Sequence, residues 1–188
     1  MNRPFLSYLK QIGKRLALLL ILVCATSTAG FAQGLPAGSL HVGIDLGIVD
    51  YDQLSEATSA GQIFIGYQFS EIWGMDIGWN DLGDPKTLED LRADTDGIAL
   101  RLYAQLPFQD YLSLFGRIGA LSWDSQLSEV GRSFEDSGTD LTVGAGIQTN
   151  FYSEALIIRG AFDAFKSGYG NGETENILKY SVALLFHF

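Results

Sequence analysis

Seven ionisable residues interrupt segments of the chain that are otherwise apolar or built of small residues. They are three acids and four bases: Asp45, Asp76, Asp163, Arg101, Arg117, Arg159 and Lys179. Charges removed from water must be paired, and a set this close to balance fits a buried ionic network. Such a network either fills and rigidifies an interior or forms an ion gate that opens when the charges exchange partners. Conductance of Asp76→Ala and Arg159→Ala variants would separate these two hypotheses.

The elements that carry these residues are predicted to be β-strands, because apolar residues recur at every second position. In LHVGIDLGI (40–48), the even positions are apolar and the odd positions are polar or tiny. The alternation recurs in seven further stretches: 62–69, 72–80, 97–106, 111–123, 140–151, 155–165 and 177–188. Strands of roughly ten residues match the length that a tilted strand needs to cross a bilayer. The pattern predicts an all-β protein, an eight-stranded antiparallel up-and-down transmembrane β-barrel.

The connections between the predicted strands alternate in length. Short ones lie near 70–71, 108–110 and 152–154, and long polar ones near 50–60, 82–95, 124–138 and 167–175. This is typical of outer-membrane barrels, whose short turns are periplasmic, and an even strand number places both termini in the periplasm. The long loops are rich in acids: Asp50, Asp52, Glu56, Asp84, Glu89, Asp90, Asp94, Glu129, Glu135 and Asp136. These acids either share divalent cations with lipopolysaccharide or contact host or phage surfaces, or they are merely solvated.

The two faces of the predicted strands differ in a way that favours a membrane barrel. The polar face mixes long charged side chains with glycine, as a small filled interior requires. The apolar face is almost entirely large, and its aromatics lie near the short turns, where we expect a girdle at the membrane interface: Tyr67, Phe69, Trp73, Phe151, Phe186 and Phe188. The alternative is a secreted lipocalin-like binding barrel, whose apolar face would line a cavity.

Residues 1–32 are predicted to be a cleavable signal peptide, and 33–188 the barrel domain. A basic start, a short apolar run and small residues up to Ala32 form the signal pattern; a membrane anchor, or a lipoprotein acylated at Cys24, are the alternatives. The leader holds four of the twelve basic residues and no acid, so eight bases face twenty-two acids in 33–188, a net charge of −14. That charge argues against nucleic acid as a partner. The predicted mature chain has no cysteine and therefore no disulfide.

The chain resembles the OmpA-type eight-stranded outer-membrane β-barrel family, with OmpX as a relative of similar size. The resemblance is carried by WGMDIGWNDLG (73–83), LSLFGRIGALSWD (112–124), VGAGIQTNFYSEALIIRGAFDAF (143–165) and the closing YSVALLFHF, in that order. It implies a barrel in the outer membrane of a Gram-negative bacterium, with interior ionic partners at the positions of Asp76 and Arg159. No peptidoglycan-binding domain is expected, since the resemblance covers the barrel alone, about 40–188.

The end of the chain resembles the sorting signal of outer-membrane proteins. Tyr180, Phe186 and Phe188 lie on one face of the last predicted strand, and the final residue is phenylalanine with an aromatic two residues earlier. The resemblance implies recognition by the barrel-assembly machinery. The other expected partners are outer-membrane lipid and lipopolysaccharide, and the expected state is a monomer.

An enzyme of the outer membrane is a further possible function. Some eight-stranded outer-membrane barrels modify lipid A, which requires a histidine-activated serine or an equivalent pair at the outer rim. The only histidines, His41 and His187, lie near the predicted periplasmic end. We therefore predict a non-enzymatic protein with no catalytic residue, no metal site and no cofactor. Its expected role is envelope-structural or surface interaction through the loops, and the alternative is a narrow gated pore.

Overall fold

The computed structural model of the protein describes residues 34–51, 57–83, 92–109, 112–129, 132–150, 155–169 and 173–188. The predicted signal peptide, 1–32, lies outside these residues. So do the predicted girdle residue Phe151 and five of the predicted loop acids: Asp52, Glu56, Asp84, Glu89 and Asp90.

Eight antiparallel strands close into one barrel in which every strand pairs with its neighbours in sequence and the last pairs with the first. The strands are β1 Leu40–Tyr51, β2 Thr58–Gln68, β3 Trp73–Asp81, β4 Arg92–Gln109, β5 Leu112–Glu129, β6 Arg132–Asn150, β7 Leu156–Tyr169 and β8 Glu173–His187. The seam between β1 and β8 is continuous, from His41 opposite His187 to Tyr51 opposite Ile177. The predicted fold class is confirmed. In the described part of the chain, no helix is both long and apolar enough to span a membrane.

The large apolar residues point outward, so the barrel is inverted relative to a soluble one. Leu46, Ile63 and Leu141 expose 70, 63 and 63% of their surface, whereas the alternate residues face the lumen and are buried. Exposure of this extent around a whole barrel is stable only against lipid. The lipocalin-like alternative is therefore wrong, because the apolar face does not line the cavity.

The two ends of the barrel differ. The end that carries the connections 69–72, 110–111 and 151–155, together with residues 40 and 188, is called here the short-turn end. The opposite end, the loop end, carries the other four connections. At the short-turn end, the β2–β3 connection is tight: the Phe69 and Ser70 amides both donate to the Trp73 carbonyl at 3.1 Å, and Ser70 Oγ accepts from the Trp73 amide at 2.9 Å.

Several strands continue past their predicted ends at the loop end. The predicted loops 82–95, 124–138 and 167–175 are too long, since β4 begins at Arg92, β5 and β6 leave only 130–131 between them, and β7 and β8 leave only 170–172. Pairing there continues through polar residues, as in Gln126 opposite Glu135. Beyond the lipid, both faces of a strand meet water, so the apolar alternation ends while the backbone ladder persists.

Candidate functional site: the barrel lumen

The lumen contains all seven ionisable residues singled out in the sequence. Asp45, Asp76, Arg101, Arg117, Arg159, Asp163 and Lys179 are each no more than 5% exposed. They lie there because each has the strand parity opposite to the lipid-facing residues. Their charges must therefore be compensated inside the barrel.

Two ion pairs join neighbouring strands. Asp76 and Arg101 are direct cross-strand partners, and Arg101 Nε donates to Asp76 Oδ1 at 2.7 Å. Arg101 Nη1 also donates to Gln62 Oε1 at 3.1 Å. Lys179 Nζ lies 2.8 Å from Asp45 Oδ1.

The third ion pair spans an intervening strand. Arg117 on β5 reaches Asp163 on β7 across β6, with Nε donating to Oδ1 at 2.6 Å and Nη2 donating to Oδ2. The residue between them is Gly144, which is the register partner of both. A Cβ at Gly144 would overlap the Asp163 carboxylate, so glycine is what lets the two side chains meet. The bidentate geometry is the strongest arrangement for an arginine and a carboxylate.

Arg159 departs from the expected pattern. Its Nε and Nη2 donate to the neutral Gln148 Oε1 at 3.1 and 2.9 Å, and its guanidinium lies over the rings of Phe115 and Tyr103, at 4.6 and 5.4 Å from their centroids. The resemblance implied ionic partners at Asp76 and Arg159, but Asp76 pairs with Arg101 instead. Among the described residues, Arg159 forms no ion pair with a carboxylate.

The ionic layer lies between two apolar clusters. Along β8, the inward residues run from Ile177 through Lys179 and Ser181 to Leu185, so the charges occupy the middle. The loop-end cluster consists of Val49, Ala60, Leu82, Ala99, Leu121, Trp123, Phe165 and Ile177. The short-turn cluster consists of Leu35, Phe64, Tyr103, Ile157, Ala183 and Leu185. Packed side chains of this kind leave no wide path for solvent.

A segment ahead of β1, residues 34–39, is folded into the short-turn end and is called here the amino-terminal latch. Leu35 is 1% exposed. Its amide donates to Gln105 Oε1 at 2.9 Å, and its carbonyl accepts from Gln105 Nε2 at 2.7 Å. Gly38, at φ 83°, donates its amide to the Gln68 carbonyl at 2.6 Å.

The latch is connected to the charged interior through amide side chains. Gln148 Nε2 donates to Gln105 Oε1 at 2.8 Å, and Gln148 is the residue that accepts from Arg159. Gly34 completes the fit, since a Cβ there would overlap the Gln105 side chain. A continuous polar chain therefore runs from Leu35 through Gln105 and Gln148 to Arg159.

Sequence reasoning missed the latch and several inward aromatic residues, among them Phe64 and Phe115. Residues 34–39 (GLPAGS) have no alternation, so the sequence pattern predicts no element there. Phe64 and Phe115 are 3 and 4% exposed inside the barrel, where Arg101 lies 6.0 Å from the first ring centroid and Arg117 5.7 Å from the second. Their parity within β2 and β5 was the signal that could have found them.

The two histidines lie together at the short-turn end as cross-strand partners. His41 is fully buried, and its ring packs edge-on against Phe64 and Tyr103, at centroid distances of 6.2 and 5.9 Å. Neither of its ring nitrogens hydrogen-bonds to another described residue. Within the described ranges, no three or more His, Cys, Asp or Glu side chains are grouped to hold a metal ion.

The aromatic residues of the last strand face outward. Tyr180, Phe186 and Phe188 are 53, 48 and 65% exposed, and the Phe188 backbone pairs with Leu40 through two hydrogen bonds of 3.1 and 3.0 Å. Their use as an assembly signal stays a prediction.

The sequence profile described as "Outer membrane protein beta-barrel domain" matches residues 16–182. The chain belongs to this family. It is thus an outer-membrane β-barrel protein of the Gram-negative envelope, and the predicted membership of the eight-stranded outer-membrane barrels is confirmed. A search of curated proteins gives no match.

Solved structures of several outer-membrane barrels share the fold. Neisserial surface protein A has 11% identity and a TM-score of 0.63, with 80% of this chain and 99% of that chain covered. OprG of Pseudomonas aeruginosa has 14% identity and a TM-score of 0.60, with coverages of 83 and 98%. Ail of Yersinia pestis, in complex with the heparin analogue sucrose octasulfate, has 18% identity and a TM-score of 0.57, with coverages of 82 and 100%. At these identities the likeness concerns the fold alone.

Proposed function

We propose that this protein is a sealed, non-enzymatic outer-membrane barrel that displays an acidic β-sheet extension at the cell surface and supports envelope integrity. The observation that carries the proposal is the filled lumen, in which ion pairs lie between two apolar clusters. A barrel without a path through it acts through its surfaces. In this proposal the short-turn end is periplasmic and the loop end is extracellular, as in barrels of this type.

The surface suited to interaction is the part of β4, β5 and β6 that projects beyond the lipid belt. These strands have 18, 18 and 19 residues, whereas β3 has 9, which is already about the 9–11 residues that span a bilayer. Trp79 Nε1 donates to Asp96 Oδ2 at 2.9 Å, at the level where outward apolar residues give way to acids. The projecting part is therefore a sheet with a polar outward face, held above the membrane.

The outward face of this extension carries closely spaced negative charges. Asp81 lies opposite Asp96, and Asp96 lies opposite Asp124, so three carboxylates form one row across β3, β4 and β5. Like charges in direct cross-strand pairs repel one another, and a cationic partner would relieve this repulsion. The heparin analogue in the complex with Ail, sucrose octasulfate, is an anion. The acidic row of this protein would repel an anion, so we propose that its partner is a cationic macromolecular surface.

The position of the histidines supports the proposal that the protein is not an enzyme. A serine nucleophile needs a base within hydrogen-bond reach. His41 is buried between two rings at the short-turn end, which the proposal places in the periplasm, away from lipopolysaccharide.

The expected partners are lipid, lipopolysaccharide and, during assembly, the barrel-assembly machinery, with a monomer as the working state. A gated pore would require both apolar clusters and the ion pairs to rearrange.

The test uses the protein in lipid nanodiscs and a fluorescent oligolysine peptide at several salt concentrations. The Asp81→Asn, Asp96→Asn, Asp124→Asn triple variant should lose most of the salt-sensitive binding, while Asp50→Asn, an exposed acid on β1, serves as the control. Equal binding by the triple variant and the wild type would refute the acidic surface.

Orientation is checked on intact cells, where Ser137→Cys should react with an impermeant maleimide and Ala37→Cys should not.

A further inference from the structure

Arg159 is the one cation of the described lumen whose charge is not matched by a carboxylate. The other three buried bases, Arg101, Arg117 and Lys179, each pair with a separate aspartate. The described interior thus holds four cations and three anions, an excess of one positive charge. A buried charge without a counter-charge is strongly destabilising, so the excess calls for a compensating anion.

The surroundings of Arg159 compensate the charge only in part. Gln148 Oε1 takes the Nε and Nη2 hydrogens, and the faces of Phe115 and Tyr103 supply cation–π contacts. Nη1 is buried and has no hydrogen-bond partner among the described residues. The guanidinium is itself fully buried, so bulk water does not complete its shell. One strong donor group therefore remains available inside the barrel.

A second donor lies against the same aromatic ring. His41 contacts Tyr103 edge-on at a centroid distance of 5.9 Å, while Arg159 lies over that ring at 5.4 Å. His41 is also fully buried and has no hydrogen-bond partner for either nitrogen among the described residues. A neutral imidazole always carries one N–H donor. Two unpartnered donor side chains, from β1 and β7, thus share Tyr103 as a neighbour.

We propose that this part of the lumen is an internal binding site for one small monovalent inorganic anion, of the size and charge of chloride, held by Arg159 Nη1 and the His41 imidazole. The excess of one charge selects a monovalent anion. The full burial of both donors and the latch above them select a small one and make its exchange slow. The anion completes the charge balance of the lumen and is a structural ligand, bound during folding. The proposal is independent of the acidic surface at the loop end.

The first test is reversible urea unfolding in lipid vesicles, in sodium chloride against sodium gluconate at matched ionic strength. For the wild type, the folded-to-unfolded ratio should rise about tenfold once chloride reaches ten times its dissociation constant. Arg159→Gln should remove this chloride response. Gln148→Glu is the matched variant: it gives Arg159 a carboxylate, loses one donor to Gln105 Oε1, and should also remove the response while the barrel still folds.

The second test locates the ion. Crystals grown in bromide should show an anomalous peak within hydrogen-bond distance of Arg159 Nη1, and the peak should be missing in Gln148→Glu. A wild-type stability that is the same in chloride and gluconate, with no bromide peak, would overturn the proposal in favour of buried water. A chloride response that persists unchanged in Gln148→Glu would also overturn it, because the ion would then bind elsewhere.

Discussion

The amino-terminal latch gives the most detailed prediction, because its attachment depends on one side chain. Gln105 makes two hydrogen bonds to the Leu35 backbone, of 2.9 and 2.7 Å. Each buried hydrogen bond contributes about 1 kcal/mol net, so replacing Gln105 by leucine should weaken latch seating by about 2 kcal/mol. At about 1.4 kcal/mol per tenfold change, the open population should increase roughly 30-fold. Both backgrounds carry the same residue at position 35, so the burial of that side chain cancels in the comparison.

The assay is the rate at which a water-soluble maleimide labels Leu35→Cys in the full chain, with Cys24→Ser present to remove the other thiol. Leu35→Cys should react slowly with Gln105 in place and roughly 30-fold faster with Gln105→Leu. Ala37→Cys, an exposed position of the same segment, should react rapidly in both backgrounds and serves as the control. Equal rates for Leu35→Cys in the two backgrounds would show that Gln105 does not hold the latch.

Three further predictions concern the barrel wall, the lumen and assembly. Asp163→Asn should lower the unfolding free energy by about 3–5 kcal/mol because it strands Arg117 in the interior, whereas Asp163→Leu combined with Arg117→Met should recover most of the loss in urea titrations; an equally unstable double variant would contradict the pairing. Ile77→Arg, in the lipid-facing middle of β3, should lower the unfolding free energy by about 2–4 kcal/mol in the same titrations. Gln126→Arg, on the projecting part of β5, should lower it by about 0–1 kcal/mol. Equal losses in the two variants would contradict the assignment of Ile77 to the lipid and of Gln126 to water. Removing Phe188 should reduce the heat-modifiable folded band in outer-membrane fractions, and an unchanged band would refute its role as an assembly signal.

The lipid-facing half of the fold could be predicted from the sequence, and the lumen only in part. Lipid requires large apolar residues at every second position, so parity alone placed Ile77 outside and Asp76 inside. Which charges pair depends on the strand register and on contacts between strands that are not neighbours. Arg117 on β5 contacts Asp163 on β7 over Gly144 of the intervening strand. The alternation within a single strand does not predict such a contact between distant strands.

The other differences between the sequence predictions and the structure also have physical reasons. The extensions of β4 to β8 lie where water contacts both faces, so no alternation marks them. The latch contains no periodic pattern, and its position follows from the fit of Leu35 into a cluster assembled from β2, β4, β7 and β8. Arg159 was expected to have an ionic partner, but its neighbour across the strand pair is Gln148.

Planar-bilayer recording of the folded protein tests whether the lumen is sealed. Heat modifiability of the same sample in SDS establishes that the protein is folded, and a known porin recorded in the same bilayer establishes that channel openings are detected. A sealed lumen should give a flat trace, with no discrete openings from wild-type protein that is inserted and folded. Reproducible stepwise openings that change in Asp76→Ala would contradict it and would show that the ionic network is a gate.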